Sequence, residues 1–111
     1  MTRFATHYGA YEIDSVPGQP QIAHCHSLFV KREHRGRGHG TALKAHQMNT
    51  LRELGYDYAT CTTDGSNERQ RAVLERAGWS LLQNIPNGRT GGITQLWGWV
   101  VKLAPGREAG F

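Results

Sequence analysis

The sequence predicts a single domain of mixed α/β fold, and three observations lead to that class. The chain has 111 residues, enough for one hydrophobic core and too few for two. Residues 21–63 show the order strand, glycine-rich loop, helix and strand, as in a βαβ unit. A second helical segment and two strand-like segments around a turn follow. We therefore expect one domain over residues 1–104 and a flexible tail over residues 105–111.

The first part of the chain carries two strand-like segments. Phe4 to Asp14 interleaves aromatic and β-forming residues with polar ones and predicts a strand, either alone or as part of a hairpin. Pro17-Gly18-Gln19-Pro20 then breaks the pattern. Gln21 to Val30 predicts the next strand, and its apolar end Leu28-Phe29-Val30 is typical of a strand covered on both faces.

The first helix is expected over Thr41 to Leu54. Apolar residues recur there at helical spacing, at Ala45, Met48, Leu51 and Leu54. Gly55 supplies the left-handed residue that commonly ends a helix. Tyr56 to Thr63 is rich in β-branched and aromatic residues and predicts the strand that completes the βαβ unit.

The second helix is expected to begin at Asn67, which can form a capping box with Gln70. Gly78 ends this helix as its C-cap. Trp79 to Ile85 and Ile93 to Leu103 predict two strands joined through a segment rich in glycine and asparagine. These strands are expected to form a closing β-hairpin.

The charge of the chain favours an anionic partner. The formal net charge is +4, and six of the 13 lysines and arginines lie between Lys31 and Arg52. Such a patch suits a nucleotide phosphate, a nucleic acid or an acidic surface. Cys25 and Cys61 are too few for a disulfide framework and lack metal-ligand spacing, so we expect free thiols in a reducing compartment. With no membrane-spanning or secretory segment, the expected location is the cytoplasm.

The loop Arg35-Gly36-Arg37-Gly38-His39-Gly40 is the strongest local signal for a ligand. A strand that runs into closely spaced glycines and then into a helix directs backbone N–H groups toward a phosphate. The loop does not end in Gly-Lys-Ser/Thr, and its glycine spacing differs from the dinucleotide fingerprint. The alternative interpretation is a tight turn that binds no ligand.

The segment from Val30 to Leu43 resembles the acetyl-CoA signature of the GNAT N-acetyltransferases, whose core is Gln/Arg-x-x-Gly-x-Gly/Ala. Arg35, Gly38 and Gly40 match that core. A helix that Asn67 opens and that ends in Ala77-Gly78-Trp79 resembles a second element of the family. The resemblance covers about residues 21–103. It implies a mostly antiparallel sheet with a splayed parallel strand pair, two main helices and a C-terminal hairpin.

The resemblance also implies acetyl-CoA as the acyl donor. Loop amides would hold the pyrophosphate, the strand end would pair with the pantetheine arm, and the thioester would enter a slot where that strand leaves its neighbour. The acceptor would be an amine, on a protein or a small molecule. The cofactor-binding residues implied in this way are Leu28, Phe29, Val30, Arg35, Gly36, Arg37, Gly38, His39, Gly40, Thr41 and Asn67.

His24, with His26 next, is the candidate catalytic base, because strand alternation places both on one face just before the thioester-binding segment. The alternative is that both are hydrogen-bonded structural histidines. Many family members carry a Tyr acid seven positions after the Asn of the second helix, where this chain has Leu74. Either Tyr56 or Tyr58 replaces that acid, or the thiolate leaves unassisted, or the protein binds CoA with little catalysis.

The basic loop and the two histidines also suggest other functions. Nucleic-acid binding is the non-enzymatic alternative, but CoA binding explains the basic loop better. His24 and His26 lack an evident third ligand, so no metal is expected. Family members usually have a longer segment before the signature strand, so the acceptor side is expected to be open to a protein substrate or completed by a second subunit. The short chain also resembles compact phage-encoded members.

Overall fold

The structure, a computed structural model, describes residues 2–102 as one six-stranded sheet with two helices. Its strand order is β1-β2-β3-β4-β6-β5, and only the pair β3 and β4 is parallel. The predicted fold class is thereby confirmed, whereas the predicted tail lies outside the described residues. The strands are β1 (Thr2–Ala5), β2 (Gly9–Val16), β3 (Gln19–Val30), β4 (Tyr58–Asp64), β5 (Ser80–Pro86) and β6 (Ile93–Val100). The helices are α1 (His39–Glu53) and α2 (Glu68–Ala77), with a 3-10 turn at Arg32–His34.

The first predicted strand is in fact a hairpin of two strands, β1 and β2. The turn between them is held by Thr6, whose N–H and hydroxyl both donate to the Gly9 carbonyl. A side chain at position 9 would collide with the Phe29 carbonyl of β3, so only glycine fits there. A turn with Gly18 at φ 78° then leads from β2 into β3.

Both helices pack on one face of the sheet. Ala23 and Cys25 of β3 and Ala59 and Cys61 of β4 share a buried cluster with apolar side chains of α1 and α2. By strand alternation, the residues between them point to the opposite face. The helix-covered face therefore holds the hydrophobic core.

The buried stripe of α1 differs from the predicted one. Met48 and Leu51 are buried as expected, but Ala45 is exposed and Leu54 is 52% exposed. The helix packs on both the sheet and α2, so its buried side is wider and turned toward other positions. The further buried residues of α1 are Leu43, Lys44 and Gln47.

The end of β3 is also less covered than its apolar run predicts. Leu28 and Val30 are half-buried, and Phe29 is 39% exposed. The reason is that β4 has already left β3 at this point, so this end of the strand has lost its neighbour on one side.

The boundaries of α2 follow the sequence prediction. The Asn67 side chain accepts a hydrogen bond of 3.1 Å from the backbone N–H of Gln70, and Gly78 is left-handed at φ 95°. The hairpin of β5 and β6 is confirmed as well. Neither helix, in the part of the chain that the structure describes, is long and apolar enough to cross a membrane.

Candidate active site

A slot opens in the sheet where β3 and β4 separate. Their pairing runs from Ile22 with Tyr58 to Cys25 with Cys61 and then stops. Beyond that point β3 stays paired with β2, and β4 stays paired with β6. Backbone groups of β3 that would otherwise bond to β4 are thus left facing the slot.

A β-bulge lies at the same point of β3. Between two regular pairs, Ser27 and Leu28 stand opposite the single residue Tyr11 of β2. Ser27 has a φ of 55°, a conformation that non-glycine residues rarely adopt. Bulges redirect the strand and its backbone groups, and strained residues of this kind concentrate at functional sites.

The slot has a cavity of about 220 Å³ between the parted strands and both helices. Its lining is mostly polar, although it borders the hydrophobic core. A small polar cavity at a break in a sheet suits a ligand that carries hydrogen-bonding groups. The residues around it are Cys25, His26, Ser27, Leu28, Lys44, Gln47, Cys61, Thr62, Thr63, Asn67 and Gln70.

The glycine loop delivers the chain from β3 into α1. Gly36 and Gly38 have φ values of 79° and 77°, which explains why glycine is needed at both positions. Gly38 is the N-cap of α1, and no side chain in the described part of the chain caps the helix there. The helix begins at His39, two residues before the predicted start. Because no described side chain caps it, the N–H groups at its positive end are open to a ligand.

A groove of about 660 Å³ passes from this loop along α2. Its walls carry the arginines Arg35, Arg69 and Arg76 and the free end of α1. Leu28 and Asn67 border both the groove and the slot, so the two cavities adjoin. This arrangement offers a positive surface for phosphates at one end and a narrow polar slot at the other.

Most of the implied cofactor residues come together in this groove. Two do not line it. Phe29 points to the opposite side, where the Arg3 guanidinium lies 5.6 Å from its ring centroid, and Arg37 is exposed on the loop. Arg35 donates from Nε to the Val30 carbonyl at 3.0 Å and so ties the loop to the strand end. The implied residues that do line the groove are Leu28, Val30, Arg35, Gly36, Gly38, His39, Gly40, Thr41 and Asn67.

His26 borders the slot and is held by a carboxylate. Its Nε2–H donates to Oδ2 of Asp14 at 2.6 Å, and this hydrogen bond lowers the pKa of Asp14. A second carboxylate oxygen, Oε2 of Glu12, lies 4.0 Å from Nδ1. With Nε2 donating, the lone pair of neutral His26 is on Nδ1, which faces the Ser27 hydroxyl at 3.2 Å.

His24 does not border the slot and instead lines a separate cavity beside Tyr56. Its ring stacks on that of His26 at a centroid distance of 6.0 Å, so the two do share one face. Nδ1 shares a hydrogen bond of 2.8 Å with the Thr60 hydroxyl. Burial, and then the neighbouring His26, lower the pKa of His24, which keeps its ring neutral near pH 7.

Asp14 and Ser27 are site residues that the sequence prediction did not include. Asp14 reaches His26 only because β2 pairs with β3 in a register that puts Asp14 opposite His24. Ser27 borders the slot only because the bulge gives its backbone a left-handed conformation, with φ 55°. The one available signal was the alternation Glu12-x-Asp14, which matches His24-x-His26 on a neighbouring strand.

The slot also contains both cysteines of the chain as free thiols. Burial raises the pKa of Cys25 to about 12 and raises the pKa of Cys61 as well. Both sulfurs are therefore protonated near pH 7 and poor nucleophiles. No group of three or more His, Cys, Asp or Glu side chains within residues 2–102 is placed to hold a metal ion.

Comparison with known proteins agrees with this geometry. A sequence model described as "Acetyltransferase (GNAT) family" matches residues 4–79. The chain therefore belongs to the GNAT acetyltransferase family. None of the proteins with curated descriptions matches the sequence.

Solved structures share the fold at low sequence identity. The ribosomal-protein-S18-alanine N-acetyltransferase of Escherichia coli has a TM-score of 0.74 at 17% identity, over 87% of this chain and 63% of that one. The Salmonella typhimurium protein yncA, solved with its cofactor acetyl-CoA, has a TM-score of 0.76 at 15% identity, over 92% and 62%. A Bacillus subtilis acetyltransferase in complex with CoA has a TM-score of 0.70 at 16% identity, over 87% and 72%. The chain thus spans less than two thirds of the length of the first two.

Proposed function

We propose that this chain is an acetyl-CoA-dependent N-acetyltransferase that moves an acetyl group from the thioester to a primary amine. The observation that carries the proposal is the slot between β3 and β4, which adjoins the groove over the glycine loop. An acetyl-CoA molecule has matching parts, since its phosphates suit the groove and its thioester suits the slot. Two of the structural neighbours were solved with acetyl-CoA or CoA, which supports the same ligand here.

The chemistry begins with a neutral acceptor amine. His26 is the better placed of the two candidate histidines to act as the base, because it borders the slot and His24 does not. Asp14 holds its tautomer, so Nδ1 can take the proton directly or through the Ser27 hydroxyl. His24 stacks behind His26 and supports the ring.

The amine attacks the acyl carbon within a ternary complex, and the thioester oxygen then becomes an oxyanion. Backbone N–H groups of β3 near the bulge supply hydrogen bonds for that charge, since β4 no longer pairs with this part of the strand. Strand backbone is rigid, so these donors need little rearrangement as the charge develops. Direct transfer requires no covalent enzyme intermediate, consistent with the buried, protonated thiols.

The acceptor is a cationic amine in this proposal. His26 lies on the sheet face opposite the helices, beside the carboxylates of Glu12 and Asp14. Two carboxylates in a chain of net charge +4 form a local negative site that attracts an ammonium group. A protein lysine, a protein N-terminus and a small amine all carry that chemistry, and a second subunit is one way to complete this side.

Calorimetric titration tests the cofactor first. Acetyl-CoA and CoA are expected to bind with micromolar dissociation constants, and a short nucleic-acid duplex at matched salt is expected to bind weakly. Binding of the duplex alone would reject the acetyltransferase proposal in favour of a basic nucleic-acid-binding module.

A panel of amines, with release of free CoA thiol as the readout, tests catalysis. His26→Ala is expected to lower kcat by about 10² to 10⁴ with acetyl-CoA affinity unchanged, because it removes the base and not a cofactor contact. His24→Ala is the matched control and is expected to have the smaller effect. A larger loss with His24→Ala would make His24 the base.

A catalytically weak CoA-binding domain is the second candidate function. Leu74 favours it, because this buried side chain cannot protonate a thiolate. Tight CoA binding without turnover of any amine would support that candidate.

A further inference from the structure

Lys44 of α1 is a buried lysine at the floor of the slot. Lys44 is 2% exposed and borders the cavity of the slot. Its Nζ donates to Oε1 of Gln47 at 2.7 Å and lies 3.9 Å from the Cys61 sulfur. Nζ also lies over the face of the Trp79 ring, 4.2 Å from the ring centroid, a distance at which the ring stabilises an ammonium ion.

A buried ammonium normally has a carboxylate partner. Both ion pairs found within residues 2–102 belong to His26, and neither includes Lys44. A buried charge without an ionic partner is costly, and an apolar side chain would fill this helix position at lower cost. The position of the ammonium at the slot therefore calls for an explanation beyond packing.

Gln47 supplies an independent sign that the slot is a ligand site. The residue is fully buried and borders the slot, and its Nε2 has no hydrogen-bond partner among residues 2–102. Its Oε1 is turned toward Lys44, so the amide orients the ammonium. The floor of the slot thus carries hydrogen-bond donors that suit an electron-rich atom of a bound molecule.

His26, the proposed catalytic base, and Lys44 lie on opposite sides of the slot. His26 belongs to the sheet face away from the helices, whereas Lys44 rises from the helix layer. The groove for the phosphates also lies on the helix side, along α2 and the start of α1. A thioester that enters from that groove brings its sulfur toward Lys44, while the acceptor amine meets His26.

The other candidate acids lie elsewhere. Leu74 has no proton to give, and neither tyrosine suggested by the sequence borders the slot. The Tyr56 hydroxyl is 2.7 Å from the Ser15 hydroxyl in a separate cavity. The Tyr58 ring packs against Gly98 of β6.

We propose that the Lys44 ammonium protonates the departing CoA thiolate and that Gln47 positions it, an inference that rests on the proposed acetyltransferase function. The amine nitrogen bonds to the acyl carbon, and the carbon–sulfur bond breaks with its electron pair going to sulfur. Lys44 gives one proton to that sulfur and becomes a neutral amine. The acceptor ammonium first releases one proton to solvent, and the resulting neutral amine gives a second proton to His26 as the amide forms. That second proton returns to Lys44 through solvent, so protons and charge balance.

The titratable groups that face Lys44 are compatible with this role. Among the described residues that line the slot, they are Cys25 of β3 and Cys61 of β4, with His26 across the slot. The start of α2 and its N-cap add the neutral Gln70 and Asn67. Burial lowers the pKa of Lys44, toward that of an alkyl thiol at about 8.5, which improves proton transfer to sulfur. The raised pKa values of the two cysteines keep them from competing as thiolates.

The test is an ultraviolet titration of the thiol of bound CoA, with desulfo-CoA complexes subtracted so that Cys25 and Cys61 cancel. In Lys44→Met the pKa of the bound CoA thiol is expected to lie about 1 to 3 pH units above that in the wild-type protein, since the nearby positive charge is gone. Lys102→Met, an exposed lysine outside the slot, is the matched control and should leave this value unchanged. An unchanged value in Lys44→Met overturns the inference.

Kinetics with an accepted amine provide the second readout. Lys44→Met is expected to lower kcat by about 10² to 10⁴ with little change in KM for acetyl-CoA. Wild-type kcat in this variant would also overturn the inference about Lys44 but would leave the acetyltransferase proposal intact. The acetyltransferase proposal itself would be rejected if the wild-type protein failed to bind CoA. If Lys44→Met does not fold, Lys44→Gln, which keeps a hydrogen-bonding group beside Gln47, takes its place in both measurements.

Discussion

The two helices begin at the same groove in opposite ways. At α2, the Asn67 side chain caps the N–H of Gln70, and Glu68 places a negative charge in the first turn. At α1, the N-cap is the left-handed Gly38 and the first turn has no acidic residue. No side chain of the residues that the structure describes caps this helix. Groups of the chain itself therefore compensate the positive N-terminus of α2, whereas the N–H groups at the N-terminus of α1 are left for an anionic ligand. The difference supports the proposal that α1 is the helix that binds the phosphates.

The largest expected effect concerns the open end of α1. Gly40→Tyr is expected to weaken CoA binding at least about 100-fold, or about 2.7 kcal/mol, because its ring would fill the space that phosphate oxygens need. Within residues 2–102, nothing lies within 4 Å of a Cβ at Gly40, and its φ is not in the left-handed range, so the domain should stay folded.

Gly88→Tyr is the matched control for that experiment. Gly88 has the same open surroundings but lies in the turn between β5 and β6. Calorimetry should show wild-type CoA affinity for this variant. Equal affinities for both tyrosine variants would mean that the open end of α1 is only a turn and would remove the distinction between the helices.

The cap of α2 is expected to matter for stability. Asn67→Ala should lower the free energy of unfolding by about 1 kcal/mol, because the Gln70 N–H loses its acceptor. Asn67→Asp keeps an acceptor oxygen and should retain most of that stability. Urea unfolding of the two variants measures the difference, and equal losses would show that the cap contributes nothing.

The smallest expected effects have opposite signs within the glycine loop. Gly38→Ala should destabilise the domain by about 1 kcal/mol, because φ at this position is 77°. Gly40→Ala should stabilise it by about 0.5 kcal/mol, because Gly40 lies in the first turn of α1 with ordinary helical space around it. Thermal unfolding checks both signs, and a loss at Gly40 would indicate that its lack of a side chain serves packing as well as binding.

Much of the fold was predictable because its boundaries depend on local chemistry. Gly55 and Gly78 end the helices, and Asn67 begins α2, as the sequence indicates. The glycine loop was predictable for the same reason, since glycine is needed where φ is positive. These features rest on the conformational preference of a few neighbouring residues and need no distant contact.

The errors occur where burial depends on distant parts of the chain. Phe4 to Asp14 reads as one strand, yet Gly9 approaches the Phe29 carbonyl and the chain folds back as a hairpin. The buried side of α1 includes Lys44 and not Ala45, because α2 packs beside the helix. A helical pattern shows that some face is buried but does not say how wide that face is.

The residues of the site divide in the same way. The sequence by itself determined the glycine loop, the Asn67 cap and the choice of two histidines, all of which follow from residue type and short spacing. Only the tertiary structure decided that His26 and not His24 reaches the slot, that Asp14 holds it, and that Lys44 lies beneath it. Those decisions depend on strand register, on a bulge at Ser27 and on helix packing. Such long-range geometry is set by the sum of many contacts, and no short segment of the sequence carries it.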